Sequence, residues 1–465
     1  MPKHVVILGA GLAGLSAGWQ FAREGIQVDI LEMDPCVGGL CRSTSRDNFI
    51  FDLGGHRFIT KNNLLLTELK KLMGGELMVR SRKSAIRLQG KFFSYPLELI
   101  DVLTKLNPWI SFKSGLDLLL TKLRTYSKMP DVSFENWIIK RFGRMMYDIY
   151  FRPYSHKLWG IPPMQISSLW AAQRISLINI TDVFLRALGK KKNIPKTYTH
   201  NFFYPKKGIG QISERMAEEI KKIGEVHLNA KIKKIILKNS QIEKVIYIQD
   251  NKEKEISGDF VVSTIPLPEF ILSIEPKVED RYLSIAKAMK YRSIKFLHLM
   301  LNIEQVTNNT WIYVPEEKYC FFRIQDRRNW SPTVVPDGKN ALTLEIACNK
   351  NEPIWNACDE EIFEQCIKGL EELELITRSA VTDYFTEKKE HAYPIYSLDY
   401  QEKIRITYEF LSGIKDFVSI GRQGLFQYNN MDHSMGMGLR TVDYLLSRCS
   451  KEEIFQIGYD DTYLG

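Results

Sequence analysis

The pattern of apolar and polar positions predicts an α/β fold that begins with a βαβ unit. Residues 4–8 form an apolar, β-rich run, glycines follow, and a helical pattern continues through Arg23. Residues 26–32 then predict a second strand. Because two strands cannot close a sheet, we expect the strands predicted at 225–265 and 416–421 to return to this unit. The first domain is therefore expected to be discontinuous.

The remaining pattern divides into a helical part and a strand-rich part. Residues 84–93 predict a hairpin that turns at Gln89-Gly90, and residues 97–190 are mostly helical in pattern. Strand patterns dominate residues 293–348, and a last helix is predicted from about 433. The predicted domains are 1–92 with 203–268 and 415–465 (discontinuous α/β domain), 93–202 (mostly helical domain) and 269–414 (antiparallel sheet domain).

Composition places the chain among ordinary globular proteins. Of its 465 residues, 44% are hydrophobic and 26% are charged. No stretch reaches the roughly 18 apolar residues of a spanning helix, and the N-terminus lacks the features of a signal peptide. The sequence therefore predicts a cytoplasmic protein without a membrane span.

Cysteine number and net charge narrow the candidate partners. Seven cysteines, an odd number, do not suggest a disulfide framework, and no second pair accompanies Cys36 and Cys41 at metal-ligand spacing. We therefore predict no metal site. The net charge of +9 suits an anionic ligand. No basic run with interleaved aromatic residues indicates nucleic acid binding.

The first motif, Gly9-Ala10-Gly11-Leu12-Ala13-Gly14, follows a predicted strand and opens a helix. In this context Gly9 permits the tight turn, Gly11 admits a pyrophosphate, and Gly14 lets the helix pack on the strand. Glu32 ends the second strand, where its carboxylate is placed to accept ribose hydroxyls. These four residues predict a dinucleotide site of the Rossmann type.

Two further glycine pairs follow the second strand, in Val37–Arg42 and in Phe51–His56. Such pairs let backbone approach a second part of a ligand. Together with Ile420-Gly421-Arg422, these segments resemble the flavin-binding segments of the amine oxidase and protoporphyrinogen oxidase superfamily. The resemblance implies FAD rather than NAD. Its implied contacts beyond the first motif are Gly39, Leu40, Gly55, His56 and Arg422.

Motifs spread over nearly the whole chain carry a narrower resemblance. They are SYP at 94–96, FENWIIKRFGRMMYDIYFRPYSHKLW at 134–159, LWAAQR at 169–174, WIYVPEE at 311–317, FFR at 321–323, HAYP at 391–394 and GRQGLFQYNNMDHS at 421–434. In this order they resemble the UDP-galactopyranose mutases, and the eukaryotic type more than the bacterial type.

That resemblance implies a flavin-dependent isomerase of glycan biosynthesis. Such an enzyme interconverts the pyranose and furanose forms of a UDP-hexose, similar to UDP-galactose, without net redox change. In the family, N5 of reduced FAD attacks the anomeric carbon, and NADPH or NADH acts as the activating reductant. The implied partner is a nucleotide-diphosphate sugar, and the resemblance leaves a homo-oligomer open.

The same resemblance implies roles for individual residues. Arg174 and Arg323 match diphosphate-binding arginines, and guanidinium forks suit that dianion. His56 matches a histidine beside the flavin, which completes an implied catalytic set of His56, Arg174 and Arg323. The implied substrate-binding residues are these two arginines with Tyr95, Trp159, Tyr313, Tyr393 and Tyr428.

Each of these residues also has an ordinary structural explanation. A single arginine commonly forms a surface salt bridge, a tyrosine commonly lies in the core or at its rim, and His56 could bond to loop backbone. A buried packing role is equally compatible with Trp159. We interpret Asp432-His433-Ser434 as a loop and helix start rather than a nucleophile triad, because adjacent residues rarely converge on one reacting atom.

Some positions depart from the family pattern. Glu98 stands where the eukaryotic type has an amide, and an ionised carboxylate cannot donate to a uracil carbonyl. Ser155 replaces an asparagine, and the chain is two residues shorter between Tyr428 and Asp432. The base and the sugar therefore stay open. The alternatives are an FAD-dependent oxidase or dehydrogenase of the superfamily and a non-catalytic flavoprotein.

Overall fold

A five-stranded, fully parallel sheet carries the first glycine motif in the computed structural model of the protein. The structure describes residues 2–95, 101, 104–123, 129–174 and 201–459. The order of strands in this sheet is Phe417–Ser419, Phe260–Ser263, His4–Leu8, Gln27–Leu31 and Glu225–His227. Val5 to Leu8 are fully buried, because Val5 and Ile7 pack among helices on one face of the sheet, whereas Val6 and Leu8 pack on the other face among residues that include strands of a second sheet.

The predicted return of strands 225–265 to this sheet is correct only for the first and last of them. The three between join the later strand Ile274–Glu275 in a separate four-stranded sheet, whose order is Lys252–Ile256, Gln241–Gln249, Lys231–Lys238 and Ile274–Glu275. Their lysines and glutamates leave much of this sheet exposed. Such strands cannot enter a parallel sheet that is covered on both faces.

A seven-stranded sheet forms the second large layer. Its order is Val381–Pro394, Tyr291–Leu301, Asn340–Cys348, Arg323–Asp326, Trp311–Tyr313, Ser84–Leu88 and Lys91–Ser94. All neighbours are antiparallel except the pair Trp311–Tyr313 and Ser84–Leu88. The hairpin predicted at 84–93 is confirmed, and it extends this sheet. Its turn residues Gln89 and Gly90 have positive φ angles, as such turns require.

Helices fill most of the described part of 97–190, and the helices Leu12–Arg23 and Gly210–Ile220 pack against strands of the parallel sheet. The longer helices are Leu12–Arg23, Asn63–Met73, Pro108–Leu123, Phe134–Phe142, Arg152–Trp159, Ser168–Arg174, Gly210–Ile220, Leu267–Leu272, Asp280–Ala288, Asp359–Glu372, Tyr400–Ser412, Met431–Leu445 and Lys451–Gln456. Shorter turns lie at Gly74–Glu76, Arg144–Met146, Tyr147–Phe151 (a π-helical turn), Pro163–Gln165, Arg327–Trp330, Pro332–Val334, Pro353–Asn356, Arg378–Ala380, Gly421–Gly424 and Ile457–Tyr459. Two short β-ribbons pair Ser43–Arg46 with Phe49–Asp52 and Leu77–Ser81 with Asn201–Pro205.

The α/β class is confirmed, with a Rossmann-like parallel sheet, an inserted helical part and a mainly antiparallel sheet. The domain limits drawn from the sequence stay predictions. Within the ranges given above, no helix is both long and apolar enough to cross a bilayer.

Candidate functional site

A cavity of about 780 Å³ opens at the carboxyl ends of the parallel strands. Gly9 and Gly11 follow the central strand there, Glu32 follows its neighbour, and Thr264 and Gly421 follow the strands on the other side. Open parallel sheets bind ligands at this edge, where the strand order reverses. The cavity is therefore the candidate cofactor site.

The first glycine motif has the geometry that its sequence predicts. Gly9 has a φ of +101°, and a Cβ on Gly14 would lie 2.1 Å from the carbonyl oxygen of Gly9. A Cβ on Gly11, in contrast, would meet no atom within 4 Å. Gly9 and Gly14 are thus fixed by packing, whereas Gly11 leaves open space at a helix N-terminus that suits a pyrophosphate.

Gly14→Ala is therefore expected to abolish tight flavin binding, because the added methyl group would push the helix Leu12–Arg23 off its strand. The measurement is the flavin-to-protein ratio after purification and after reconstitution with FAD. Gly115→Ala is the matched control, because a Cβ there meets no atom within 4 Å. Full FAD occupancy in Gly14→Ala would contradict the assignment.

Glu32 lines the cavity directly after the strand Gln27–Leu31. Its carboxylate accepts hydrogen bonds from the backbone N–H of Ala10 at 2.7 Å and of Asp34 at 2.9 Å. Burial raises the pKa of Glu32, although these two bonds oppose the shift. Each oxygen keeps a lone pair for a ribose hydroxyl, so Glu32 and the glycines fit FAD.

The second glycine segment lies against the first. Gly38 and Gly39 have φ angles of +105° and +58°, and Gly38 donates its N–H to the carbonyl of Ala10 at 2.8 Å. Leu40 lines the cavity beside them. These left-handed glycines let the loop cross the helix start closely enough to enclose a bound dinucleotide.

His56 lines the cavity beyond this loop, and its imidazole is half-buried. Burial, assisted by the positive charge of Arg422, lowers the pKa of His56 to about 3. The imidazole is therefore neutral at physiological pH. One ring N–H bonds to the backbone of Leu53, so the imidazole offers its other nitrogen as an acceptor beside the cofactor position and adds no charge.

Arg422 organises the loops at the far side of the cavity. Its Nε and Nη2 donate to the carbonyl of Asn429 at 2.9 and 2.6 Å, and Nη1 donates to that of Ala392 at 3.3 Å. The rings of Tyr393 and Tyr428 stack with centroids 5.3 Å apart, and Arg422 contacts both. Arg422 thus holds this tyrosine pair at the cavity.

The segment Asp432-His433-Ser434 forms the start of the helix Met431–Leu445. The His433 ring bonds to its neighbour Asp432 at 3.0 Å, and the His433 side chain also belongs to the capping box with Asn430. Ser434 lines the cavity. These bonds serve helix capping, and the three side chains do not form a relay towards one reacting atom.

Arg323 lies next to the second glycine pair, because a Cβ on Gly55 would be 3.7 Å from its Cζ. Its Nε and Nη2 both donate at 2.6 Å to the buried carboxylate of Glu345. This bidentate pair occupies one edge of the guanidinium fork. Arg323 therefore does not present the whole fork that the sequence suggested, and its remaining Nη1 edge is the part that a ligand could use.

Two arginines that the sequence analysis did not single out lie beside Tyr313. Tyr95 and Tyr313 contact each other with ring centroids 4.4 Å apart, and the Arg82 guanidinium lies 4.9 Å from the Tyr95 ring. Arg57 lies 4.8 Å from the Trp311 ring, and its Nη1 is buried without a hydrogen-bond partner among the described residues. Burial and the charge of Arg82 lower the pKa of Arg57 to about 9. An anion at this position would relieve both effects.

The remaining predicted residues divide into buried and undescribed ones. Trp159 is 1% exposed and packs edge-on against Trp170 and Tyr393, so it supports the tyrosine pair from behind. Ser155 is also buried. Arg174 ends the helix Ser168–Arg174, but its side chain lies outside the described residues, as does the whole of Glu98.

Sequence signals for the missed residues exist, but they are weak. Glu345 is the one charged residue in the buried strand Asn340–Cys348, and a buried charge requires a partner. Arg57 directly follows the glycine–histidine motif. Neither signal shows which groups the side chain would meet.

A cluster outside this cavity bears on the predicted absence of metal. Asp29, Glu225 and His227 each place a ligand atom within 4.8 Å of the others. The Asp29 carboxylate pairs with His227 at 2.7 Å and with His4 at 2.6 Å, and the bond from His227 lowers the pKa of Asp29. These hydrogen bonds tie neighbouring strands together. The absence of a metal site stays a prediction.

Comparisons with known proteins agree with this architecture. The family model described as flavin containing amine oxidoreductase matches residues 12–405. L-amino acid oxidase bordonein-L of Crotalus durissus terrificus is 26% identical over 63% of this chain, and the match spans 56% of that protein. A probable UDP-galactopyranose mutase of Klebsiella pneumoniae is 24% identical over 35% of the chain and 43% of its own length. The chain thus spans about half the length of these curated relatives.

The solved structure of reduced UDP-galactopyranose mutase covers 100% of both chains, with a TM-score of 0.87 and 23% identity. A putative protoporphyrinogen oxidase from Exiguobacterium sp. 255-15 covers 96% of this chain, with a TM-score of 0.73 and 16% identity. At these identities the likeness shows the fold, and the superfamily supports FAD as the cofactor. With the family match over most of its length, the chain belongs to the flavin containing amine oxidoreductase family, as a UDP-galactopyranose mutase-like member in fold.

Proposed function

We propose that the protein is an FAD-dependent mutase that interconverts the pyranose and furanose forms of a UDP-hexose without net redox change. The observation that carries the proposal is the position of Arg323. Its guanidinium is fixed by Glu345 directly beside the glycine–histidine segment that lines the flavin cavity. A leaving diphosphate needs fixed cations next to the cofactor, and the charges of Arg82 and Arg323 both lie near that of Arg57.

The tyrosines surround this cation as hydrogen-bond donors. Burial raises the pKa of Tyr393, and the neighbouring Tyr313 phenol raises that of Tyr95, so both stay protonated at physiological pH. Protonated phenols can donate to phosphate oxygens but cannot act as bases there. The cluster is therefore suited to binding and orienting a diphosphate.

The cofactor site fits FAD through Gly9, Gly11, Gly14 and Glu32, and NADPH or NADH would supply the electrons that keep the flavin reduced. Reduced flavin supplies a nucleophilic nitrogen, N5, for the anomeric carbon of the sugar. Among the described residues, His56 is a neutral group at the cavity, and the Asp432–His433 pair is held by helix capping. The protein's part is to bind the diphosphate, position the sugar and exclude water.

The test is a count of turnovers under anaerobic conditions. The enzyme is reduced once, the reductant is removed, and UDP-galactopyranose or another UDP-hexose is added. We expect many furanose or pyranose products per flavin, because the reaction returns its electrons at each cycle. One product per reductant oxidised, or equal activity with oxidised flavin, would contradict the proposal.

An oxidase or dehydrogenase of the same superfamily is the second candidate, and the L-amino acid oxidases among the curated relatives favour it. Such an enzyme would consume dioxygen in step with an oxidised amine and would not form furanose sugars. Parallel oxygen-electrode assays with a panel of L-amino acids and polyamines separate the two candidates. Oxygen uptake with an amine, and no sugar isomer, would move the protein to the oxidase class.

A further inference from the structure

A pair of cysteines connects the hairpin between the strands of Tyr313 and Arg323 with the helix Asp359–Glu372. The Sγ atoms of Cys320 and Cys366 are 3.5 Å apart. Cys320 lies in the hairpin and is partly exposed, whereas Cys366 is fully buried on the helix Asp359–Glu372. Two thiols at this distance need only a small movement to bond.

The sequence around the pair explains why the two sulfurs meet. Gly369 lies one helical turn after Cys366, and a Cβ there would be 2.9 Å from Tyr319 and 3.0 Å from Phe321. The missing side chain at Gly369 thus lets the residues that flank Cys320 pack directly on the helix. Lys318 adds an ion pair to Glu372 at 2.8 Å.

A lysine holds the other side of the same hairpin. Lys157 donates to the backbone carbonyls of Val314, Glu316 and Phe321. The hydrogen bond with Cys366, followed by the ammonium of Lys157, lowers the pKa of Cys320. The partly exposed thiol is therefore the more readily ionised of the two, and the buried one is its resolving partner.

We propose that Cys320 and Cys366 form a reversible disulfide when the protein meets a peroxide. The Cys320 thiolate attacks a peroxide oxygen, breaks the O–O bond and becomes a sulfenic acid, releasing water. The Cys366 thiol then displaces the second oxygen as water, and the S–S bond forms. Two thiols lose two electrons and two protons in total, and hydrogen peroxide becomes two water molecules.

The disulfide would link the hairpin that contains Cys320 to the helix Asp359–Glu372. The first strand of this hairpin ends at Tyr313, and its second strand begins at Arg323. Reduced flavin that reacts with dioxygen produces hydrogen peroxide. The oxidant therefore forms wherever dioxygen oxidises the reduced flavin. The cross-link itself does not depend on the proposed mutase activity.

The experiment treats the FAD-bound protein with graded hydrogen peroxide, blocks the remaining thiols after denaturation and maps the peptides without reduction. We expect a disulfide-linked pair of peptides that contain Cys320 and Cys366. Its mass should be two hydrogens below the summed masses of the two reduced peptides, and dithiothreitol should separate them. The apparent Tm should rise by a few degrees, because the link closes a loop across 46 positions of the chain.

Three variants make the result specific. Cys366→Ser should leave a sulfenic acid at Cys320 that a cyclic 1,3-dione traps, and Cys320→Ser should leave Cys366 reduced. Cys358→Ser, which changes an exposed cysteine at the start of the same helix, should form the link as before. If Cys320 and Cys366 both stay alkylatable at the peroxide concentration that oxidises the exposed Cys36 and Cys358, the proposal is wrong.

Discussion

Arg323→Ala is expected to lower the free energy of unfolding by about 3–5 kcal/mol, because it leaves the Glu345 carboxylate buried without its partner. The Glu345 side chain is 1% exposed and that of Arg323 is 16% exposed, so the carboxylate is poorly hydrated. Gln325 would still donate to Glu345 at 2.6 Å, but an amide supplies no charge. The measurement is equilibrium unfolding by urea of the FAD-saturated protein.

The chain offers a matched control for this measurement. Arg378 makes the same bidentate contact with Glu364, but the two side chains are 51% and 36% exposed. Arg378→Ala should therefore cost at most about 1 kcal/mol. Equal losses in the two variants would show that Glu345 is not held in a dry site.

A second substitution separates the structural role of Arg323 from its proposed role in binding. Arg323→Lys keeps a positive charge near Glu345 but loses the planar fork. We expect this variant to keep most of the stability that Arg323→Ala loses. Its kcat/KM for the nucleotide sugar should still fall, because one ammonium cannot serve the carboxylate and a phosphate with fixed geometry at once.

The sequence predicts the first half of the site well because local rules govern it. The turn at Gly9, the helix packing at Gly14 and the acid at Glu32 all follow from a strand, a glycine turn and a helix that are contiguous in the chain. The hairpin at Gln89-Gly90 follows from the same kind of local chemistry.

The diphosphate side could be predicted only in outline, because it depends on strand register. Arg323 and Glu345 are direct partners across two antiparallel strands. A shift of one residue in either strand would turn one of these side chains to the other face of the sheet. Motif matching gave the arginine, and nothing in the sequence showed that a carboxylate would already occupy its fork.

The middle strands at 231–256 show a second limit. Their alternating lysines and isoleucines predict strands, but that pattern does not say which sheet they join. The exposed face of these strands excludes them from a parallel sheet that is covered on both faces, and this argument requires knowing that both faces of the parallel sheet are covered.

Arg57→Met is expected to change stability and binding in opposite directions. In the protein without nucleotide, the buried Nη1 of Arg57 has no partner among the described residues, and its charge lies near that of Arg82. Replacing it with an apolar side chain of similar length should raise the free energy of unfolding by about 1–2 kcal/mol. Affinity for uridine diphosphate should fall about tenfold to hundredfold, because a charge-assisted hydrogen bond is lost.

A rise in the free energy of unfolding together with a fall in nucleotide affinity distinguishes a ligand-binding arginine from a structural one. Arg292 is equally an arginine of the core, but it donates to Glu352 and to the carbonyls of Leu158 and Ala347, so Arg292→Met should destabilise the protein. The measurements are urea unfolding of the FAD-bound protein and calorimetric titration with uridine diphosphate. If Arg57→Met loses stability as Arg292→Met does and binds the nucleotide unchanged, Arg57 has only a structural role, and the anionic end of the ligand binds elsewhere.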